Sequence, residues 1–193
     1  MSLTHPPSSP HESLKGEEED RRSEMDIPPE PVELEHVIGY SGSRPRTLHR
    51  VVGDGDRYLC GMGAHVVVCS VSNPHDQEFL QSHDAPISAL AVDPTGRLVA
   101  SGQLGSTRAA GLEAPVVVWE WSSRREVYNL FGLTSGVRFL EFSPDARLLA
   151  GSGDDGLLVL WDMRTGEQLH ARKWEKGLEF LSWGAVDVSG RRP

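Results

Sequence analysis

The sequence predicts an all-β chain assembled from an internally repeated unit, on two observations. The first is that apolar residues come in strand-length runs. These are Val51–Val52, Arg57–Cys60, Val66–Val71, Ile87–Val92, Leu98–Ser101, Val116–Trp121, Val137–Phe142, Arg147–Ala150 and Leu157–Trp161. They are rich in Val, Leu and aromatics, and Gly, Pro, Asp or Ser clusters separate them, as turns separate strands. No window of eleven or more residues sustains helical periodicity. The second observation is that the runs recur in one order. Ile87-Ser-Ala-Leu-Ala-Val-Asp-Pro94-Thr-Gly-Arg-Leu-Val-Ala100-Ser-Gly matches Val137-Arg-Phe-Leu-Glu-Phe-Ser-Pro144-Asp-Ala-Arg-Leu-Leu-Ala150-Gly-Ser at a constant offset of 50. Val116-Val-Val-Trp119-Glu matches Leu158-Val-Leu-Trp161-Asp at an offset of 42, and extra residues in Gln103–Pro115 account for the difference. A weaker copy runs through Arg57–Gly61 and Val66–Val71, and a fourth begins at Leu178-Glu-Phe-Leu-Ser.

Composition narrows the function classes. A length of 193 residues has a prior of about one domain. Hydrophobic residues make up 38%, and the 20 glycines bring the apolar share to about 48%, within the range of folded globular chains. No apolar run approaches the roughly 18–20 residues that span a bilayer. Met1–Pro10 has neither a basic n-region nor an apolar h-region, so a cytosolic, soluble protein with no membrane partner is expected. With 19 Lys+Arg against 28 Asp+Glu the net charge is −9, which disfavours nucleic acid as a partner. Cys60 and Cys69 make neither a disulfide framework nor a zinc site, and read as buried reduced thiols. Residues 1–31 differ in kind: Pro-rich, with eight acids against Lys15, Arg21 and Arg22, they are expected to form a disordered acidic tail.

From Val32 onward the repeats resemble the WD repeat, the four-stranded blade of a β-propeller with a period of about 40–45 residues. The motif Asp154-Asp-Gly-Leu-Leu-Val-Leu-Trp-Asp162-Met-Arg-Thr-Gly166, preceded by Phe142-Ser-Pro-Asp, is close to its consensus. The expected blades are 32–85, 86–135 and 136–177, with a partial fourth at 178–193. In WD blades a His, a Ser or Thr, a turn Asp and a Trp form a hydrogen-bonded set. By that resemblance His83, Ser101 and Trp119 hold the second blade, whose turn Asp is replaced by the insertion. The third keeps Asp155 and Trp161, with Leu133 and Gly151 where the His and Ser would stand.

Residues able to carry chemistry do not assemble into a catalytic motif: GxxxxGK[ST], HExxH, GxSxG and CxxC are all missing. The paired acids Asp54 and Asp56, and Asp154 and Asp155, sit in Gly-bracketed turns where Asp caps the backbone. No enzyme activity, small-molecule substrate, cofactor or metal is expected. Three surface features are candidates for partner contact: the insertion, with Arg108 and Glu113; the basic turn Ser122-Ser-Arg-Arg-Glu126, with Arg124 and Arg125; and the acidic tail.

A finer resemblance rests on Val32-Glu-Leu-Glu-His-Val-Ile-Gly-Tyr40-Ser-Gly, Glu78-Phe-Leu-Gln-Ser-His83 and Ala100-Ser-Gly-Gln103-Leu. These are similar to the opening of the cilia- and flagella-associated WD-repeat proteins of axonemal doublet microtubules, with Ser82 in place of a usual Gly. The echinoderm microtubule-associated-protein-like family shares the Gly-Tyr-x-Gly opening and the Gly-Gln insertion. Both resemblances imply microtubules. The first implies a non-catalytic scaffold of the axoneme in contact with tubulin and other axonemal proteins. A cytoplasmic adaptor for a signalling or ubiquitin-ligase complex is the alternative. Closed propellers use typically 4–8 blades, so about three blades predict an incomplete propeller with open edges, either part of a longer polypeptide or an arc held by partners. Val32–Gly39 is expected to add a strand at its N-terminal end.

Overall fold

The computed structural model describes residues 34–40, 42, 44–105 and 114–184. All twelve strands fall in the compact unit Glu35–Pro193. They form three four-stranded antiparallel sheets, each a meander of consecutive strands. Blade 1 contains β1 (Leu48–Arg50), β2 (Arg57–Met62), β3 (His65–Ser70) and β4 (Gln77–Gln81). Blade 2 contains β5 (Ile87–Val92), β6 (Leu98–Gln103), β7 (Val116–Glu120) and β8 (Glu126–Leu130). Blade 3 contains β9 (Val137–Phe142), β10 (Leu148–Gly153), β11 (Leu157–Asp162) and β12 (Gln168–Lys173). No helix appears among the described residues, and none there is long and apolar enough to cross a membrane.

The middle strands of blade 2 are buried on both faces, and this is why they read as continuous apolar runs rather than alternating ones. One core cluster joins blades 1 and 2 through Leu59, Val66, Val68 and Leu80 against Ile87, Leu90, Val99, Val117 and Trp119. Another joins blades 2 and 3 through Ala89, Ala100, Val116, Val118 and Leu130 against Val137, Leu140, Leu149, Val159 and Trp161. Small residues make the close approach possible. A Cβ added to Gly61 would stand 2.8 Å from Ile87 Cγ2, and one added to Gly102 would stand 2.5 Å from Val137 Cγ1. In both cases the second strand of one blade meets the first residue of the next blade's inner strand.

Turn residues end the inner strands. Asp93 is fully buried and its Oδ1 accepts the amides of Arg97 and Leu98 at 2.7 and 3.2 Å. Ser143 does the same work in blade 3, accepting the Leu148 amide at 2.9 Å. Gly96 adopts φ +71° in the first turn; its counterpart Ala146 takes φ +57°, a left-handed conformation that costs an L-residue about 1 kcal/mol or more.

Several strand expectations need correction. Val51–Val52 is not a strand; β1 stops at Arg50 and the chain turns. The strands β4, β8 and β12 were not legible as apolar runs, because an outer strand pairs on one edge only and exposes much of itself. Every residue of β12 is exposed, and backbone bonds to β11 define it. The expected N-terminal strand does not form over its described part, 34–39. Val37 instead exchanges two bonds with the Gln77 side-chain amide, at 2.9 and 3.1 Å, so a side chain substitutes for a strand edge. Residues 178–184 also lack a strand where a fourth copy was expected; Trp183 Nε1 donates to Glu141 O at 3.1 Å. The acidic tail 1–31 lies outside the described residues.

Two substitutions test this account by thermal unfolding. Gly102→Ala should lower stability by about 1–3 kcal/mol, since Val137 is a stiff β-branched neighbour. Ala146→Gly should raise it by about 0.5–1 kcal/mol by relieving the left-handed backbone. No loss in the first, or a loss in the second, would contradict the packing described.

Candidate functional site

Blade 2 carries a chain of buried hydrogen bonds at the end of β6. Trp119 Nε1 donates to Ser101 Oγ at 2.8 Å, and Ser101 Oγ lies 2.7 Å from His83 Nε2. His83 Nδ1 meets Gln103 Oε1 at 2.7 Å, and Gln103 Nε2 donates to Asp84 Oδ1 at 2.5 Å and to the Gly105 carbonyl. An amide oxygen only accepts, so Nδ1 carries the proton and Nε2 accepts from Ser101. Burial pushes the His83 pKa below its usual value, against the Gln103 hydrogen bond and the nearby Asp84 charge. The ring is thereby held neutral, as this donor–acceptor chain requires. Sequence reasoning joined His83, Ser101 and Trp119 but missed Gln103 and Asp84. Gln103 takes over the polar anchoring that the turn Asp provides in a consensus blade; its place in Ala-Ser-Gly-Gln was the available signal.

Blade 3 solves the same problem differently. Leu133 is buried in the core where a His would stand. Trp161 Nε1 donates to the Phe131 carbonyl at 3.0 Å, and its ring lies over Gly151, whose added Cβ would be 2.7 Å from Cζ3. Asp155 is not joined to Trp161 by a hydrogen bond among the described residues. Burial works against its charge, but Ser135, Lys173, the Leu157 amide and Thr134 donate to it and together hold its carboxyl at about 2. The Ser135, Lys173 and Thr134 distances are 2.8, 3.1 and 3.1 Å. In blade 1 the thiols Cys60 and Cys69 are buried with Sγ atoms 3.9 Å apart. Burial, and then the neighbouring thiol, push Cys60 up to about 12, so it is not a nucleophile at neutral pH.

Of the candidate contact residues, Arg124 is engaged internally. Its guanidinium stacks 3.5 Å from the Trp121 ring centroid, and its Nε donates to Glu78 at 3.0 Å. Arg57 bonds Asp76 at 2.7 Å and lies 3.7 Å from Glu78, so the cluster fastens the outer strand of blade 1 to the β7–β8 turn. Arg124 has φ +59°, a left-handed backbone conformation within that turn. Arg125, next to it, is exposed. Arg108 and Glu113 lie outside the described residues. Among the described residues no group of three or more His, Cys, Asp or Glu is placed to hold a metal ion.

Comparisons with known proteins agree with this architecture. A family model described as WD domain, G-beta repeat matches residues 75–107 and 124–162. Cilia- and flagella-associated protein 52 of Chlamydomonas reinhardtii is 34% identical over 142 residues, 72% of this chain and 22% of that protein. The protein of the same name in Homo sapiens is 31% identical over 134 residues, 68% of this chain and 21% of that protein. WD repeat-containing protein 90 of Homo sapiens is 30% identical over 162 residues, 81% of this chain and 9% of that protein. The chain thus spans about a fifth of the length of the first two relatives. A solved structure titled "Structure of U3-55K" superposes with a TM-score of 0.56 at 16% identity, over 66% of this chain and 38% of that one, a likeness of fold.

Stability should depend on pH through His83. Its folded pKa is lowered, so its contribution is complete above the unfolded value of about 6.5 and declines as pH falls below it. His49 is lowered too, so the informative quantity is a difference. His83→Ala should cost about 1–3 kcal/mol at pH 8 and should flatten the decline between pH 7.5 and 5.5, read by melting temperature. An unchanged slope would exclude His83 as the titrating group.

Proposed function

We propose that the chain, which carries WD repeats and is similar to the cilia- and flagella-associated proteins, is a non-catalytic structural component of the ciliary or flagellar axoneme. The observation that carries this reading is the match over about 70% of the chain to relatives with that name in both an alga and mammals. The proposed partners are the microtubule lattice, at the doublet, and neighbouring axonemal proteins. The opening Val37-Ile-Gly-Tyr40 and the Ala-Ser-Gly-Gln103 insertion support the microtubule assignment by their resemblance.

The disposition of polar groups supports a scaffold. His83, Ser101, Gln103 and Trp119 saturate one another, and Asp155 is held by four donors, so the groups best able to do chemistry serve to stiffen blades. Arg125 on the β7–β8 turn, with Arg108 and Glu113 of the insertion, are the proposed contact residues. Arg124 acts by fixing that turn.

The test is to tag the protein at its own locus in ciliated cells and fractionate detergent-extracted cilia. Retention with axonemes after membrane removal is the expected result, weakened by Arg125→Glu while the fold is kept. Diffuse cytosolic signal with no axonemal enrichment would overturn the reading and favour a cytoplasmic adaptor for a signalling or ubiquitin-ligase complex.

A further inference from the structure

The first strands of the three blades, β1, β5 and β9, meet around a cavity of about 380 Å³ where they run into their turns. Val92, Pro94 and Phe142 give it an apolar wall, and Arg46, Arg50 and Glu141 give it charge. A propeller stacks its blades laterally around a central channel. The cavity belongs to that channel, since all three first strands line it, and a further blade adjoining at either side leaves its mouth open.

Arg46 is fixed there by its backbone. Its φ of +61° is left-handed, and its carbonyl accepts both the Leu90 amide at 3.2 Å and His49 Nε2 at 2.9 Å. A carbonyl only accepts, so Nε2 carries the proton. A non-glycine residue kept in that conformation by its surroundings is a pointer to function. Yet the guanidinium is underused. It lies 4.0 Å from Glu141 Oε2, too far for a hydrogen bond, and 3.5 Å from the Leu181 carbonyl. Glu141 Oε2 is buried with no hydrogen-bond partner among the described residues. Burial pushes the Glu141 carboxyl above its usual pKa, against the Arg46 charge.

We infer that this cavity receives a carboxylate of a partner polypeptide, with Arg46 and Arg50 as its cationic groups and the apolar wall taking the residue beside it. Arginine binds a carboxylate best in a two-bond fork, which Glu141 at its present distance does not make. Two arginines face the cavity against one carboxylate with capacity to spare, so an anion is favoured and a cation opposed. The other acid on its wall, Asp93, is committed: Oδ1 accepts the Arg97 and Leu98 amides and Oδ2 the Thr95 hydroxyl. Glu141 is then a competitor, which an incoming carboxylate displaces from Arg46. The site goes beyond the axonemal reading and stands or falls separately from it.

The probe is a short labelled peptide with a leucine between two glutamates in a glycine–serine background, mixed with the purified full chain and followed by fluorescence anisotropy. Saturable binding is expected, weakened about tenfold or more when glutamines replace the peptide glutamates. Arg46→Gln should weaken it to a similar extent. Glu141→Gln should tighten it about threefold or more, because the competing charge goes while the shape stays. Leu48→Gln, at a position 52% exposed and outside the cavity, should leave binding unchanged. Should Arg46→Gln fail to fold by circular dichroism, Arg50→Gln serves in its place. No saturable binding, binding that survives a folded arginine variant, or binding weakened rather than tightened by Glu141→Gln would overturn the proposal. So would full displacement of the peptide by an equal concentration of acetate, which would mark a site for a free small anion.

Discussion

The fold depends on how closely one sheet can approach the next. Blades bury apolar faces against one another, and the approach is set where a glycine of the second strand meets a branched residue of the next inner strand. Gly61 with Ile87 and Gly102 with Val137 are two copies of that contact. The Ile87 amide donating to the Gly63 carbonyl, at 2.7 Å, and Ser88 Oγ donating to the Val137 carbonyl, at 2.6 Å, lock the backbone at the same seams. Blade 3 has Ser152 at the equivalent position, fully buried and with no hydrogen-bond partner for its Oγ.

Polar groups inside a propeller blade must be satisfied, since an unpaired buried donor costs about 1–3 kcal/mol. Blade 2 satisfies them with one chain of side chains, using Gln103 to replace the missing turn acid. Blade 3 dispenses with the serine and histidine, lets its indole rest on a glycine, and moves its acid to the β10–β11 turn, where Ser135 and Lys173 hold it. Blade 1 has two thiols in place of the hydroxyl and indole, with Tyr58, Met62 and Phe79 packed against them. Three solutions to one geometric problem give three blades with distinct surfaces.

Sequence repeat and sheet are out of step. The matched segment 124–162 begins at the turn before β8 and ends with β11, so it supplies the outer strand of blade 2 and three strands of blade 3. Each repeat is therefore a covalent clasp between neighbouring sheets. The Arg124 cluster adds a second fastening at the outer rim, and its cost in left-handed backbone is offset by a cation–π contact and an ion pair.

The sequence by itself determined the all-β class, the repeat order, the middle strands and the inner strands β5 and β9, because burial leaves an apolar record; the exposed β1 left none, and its run was expected at Val51–Val52 instead. The resemblance to WD blades, rather than spacing, implied that His83, Ser101 and Trp119 belong to one set, and their hydrogen bonds bear that out. Tertiary structure alone decided the outer strands β4, β8 and β12, which bury few of their side chains and whose existence rests on backbone pairing with a neighbour. It alone decided that Val37 would pair with the Gln77 side chain rather than form a strand, and that Arg124 would turn inward to Glu78, 46 residues away. Cys69 in the place of an indole is written in the sequence, but its burial beneath Tyr58 and Phe79 is a relation among β2, β3 and β4 that no single stretch of the chain records.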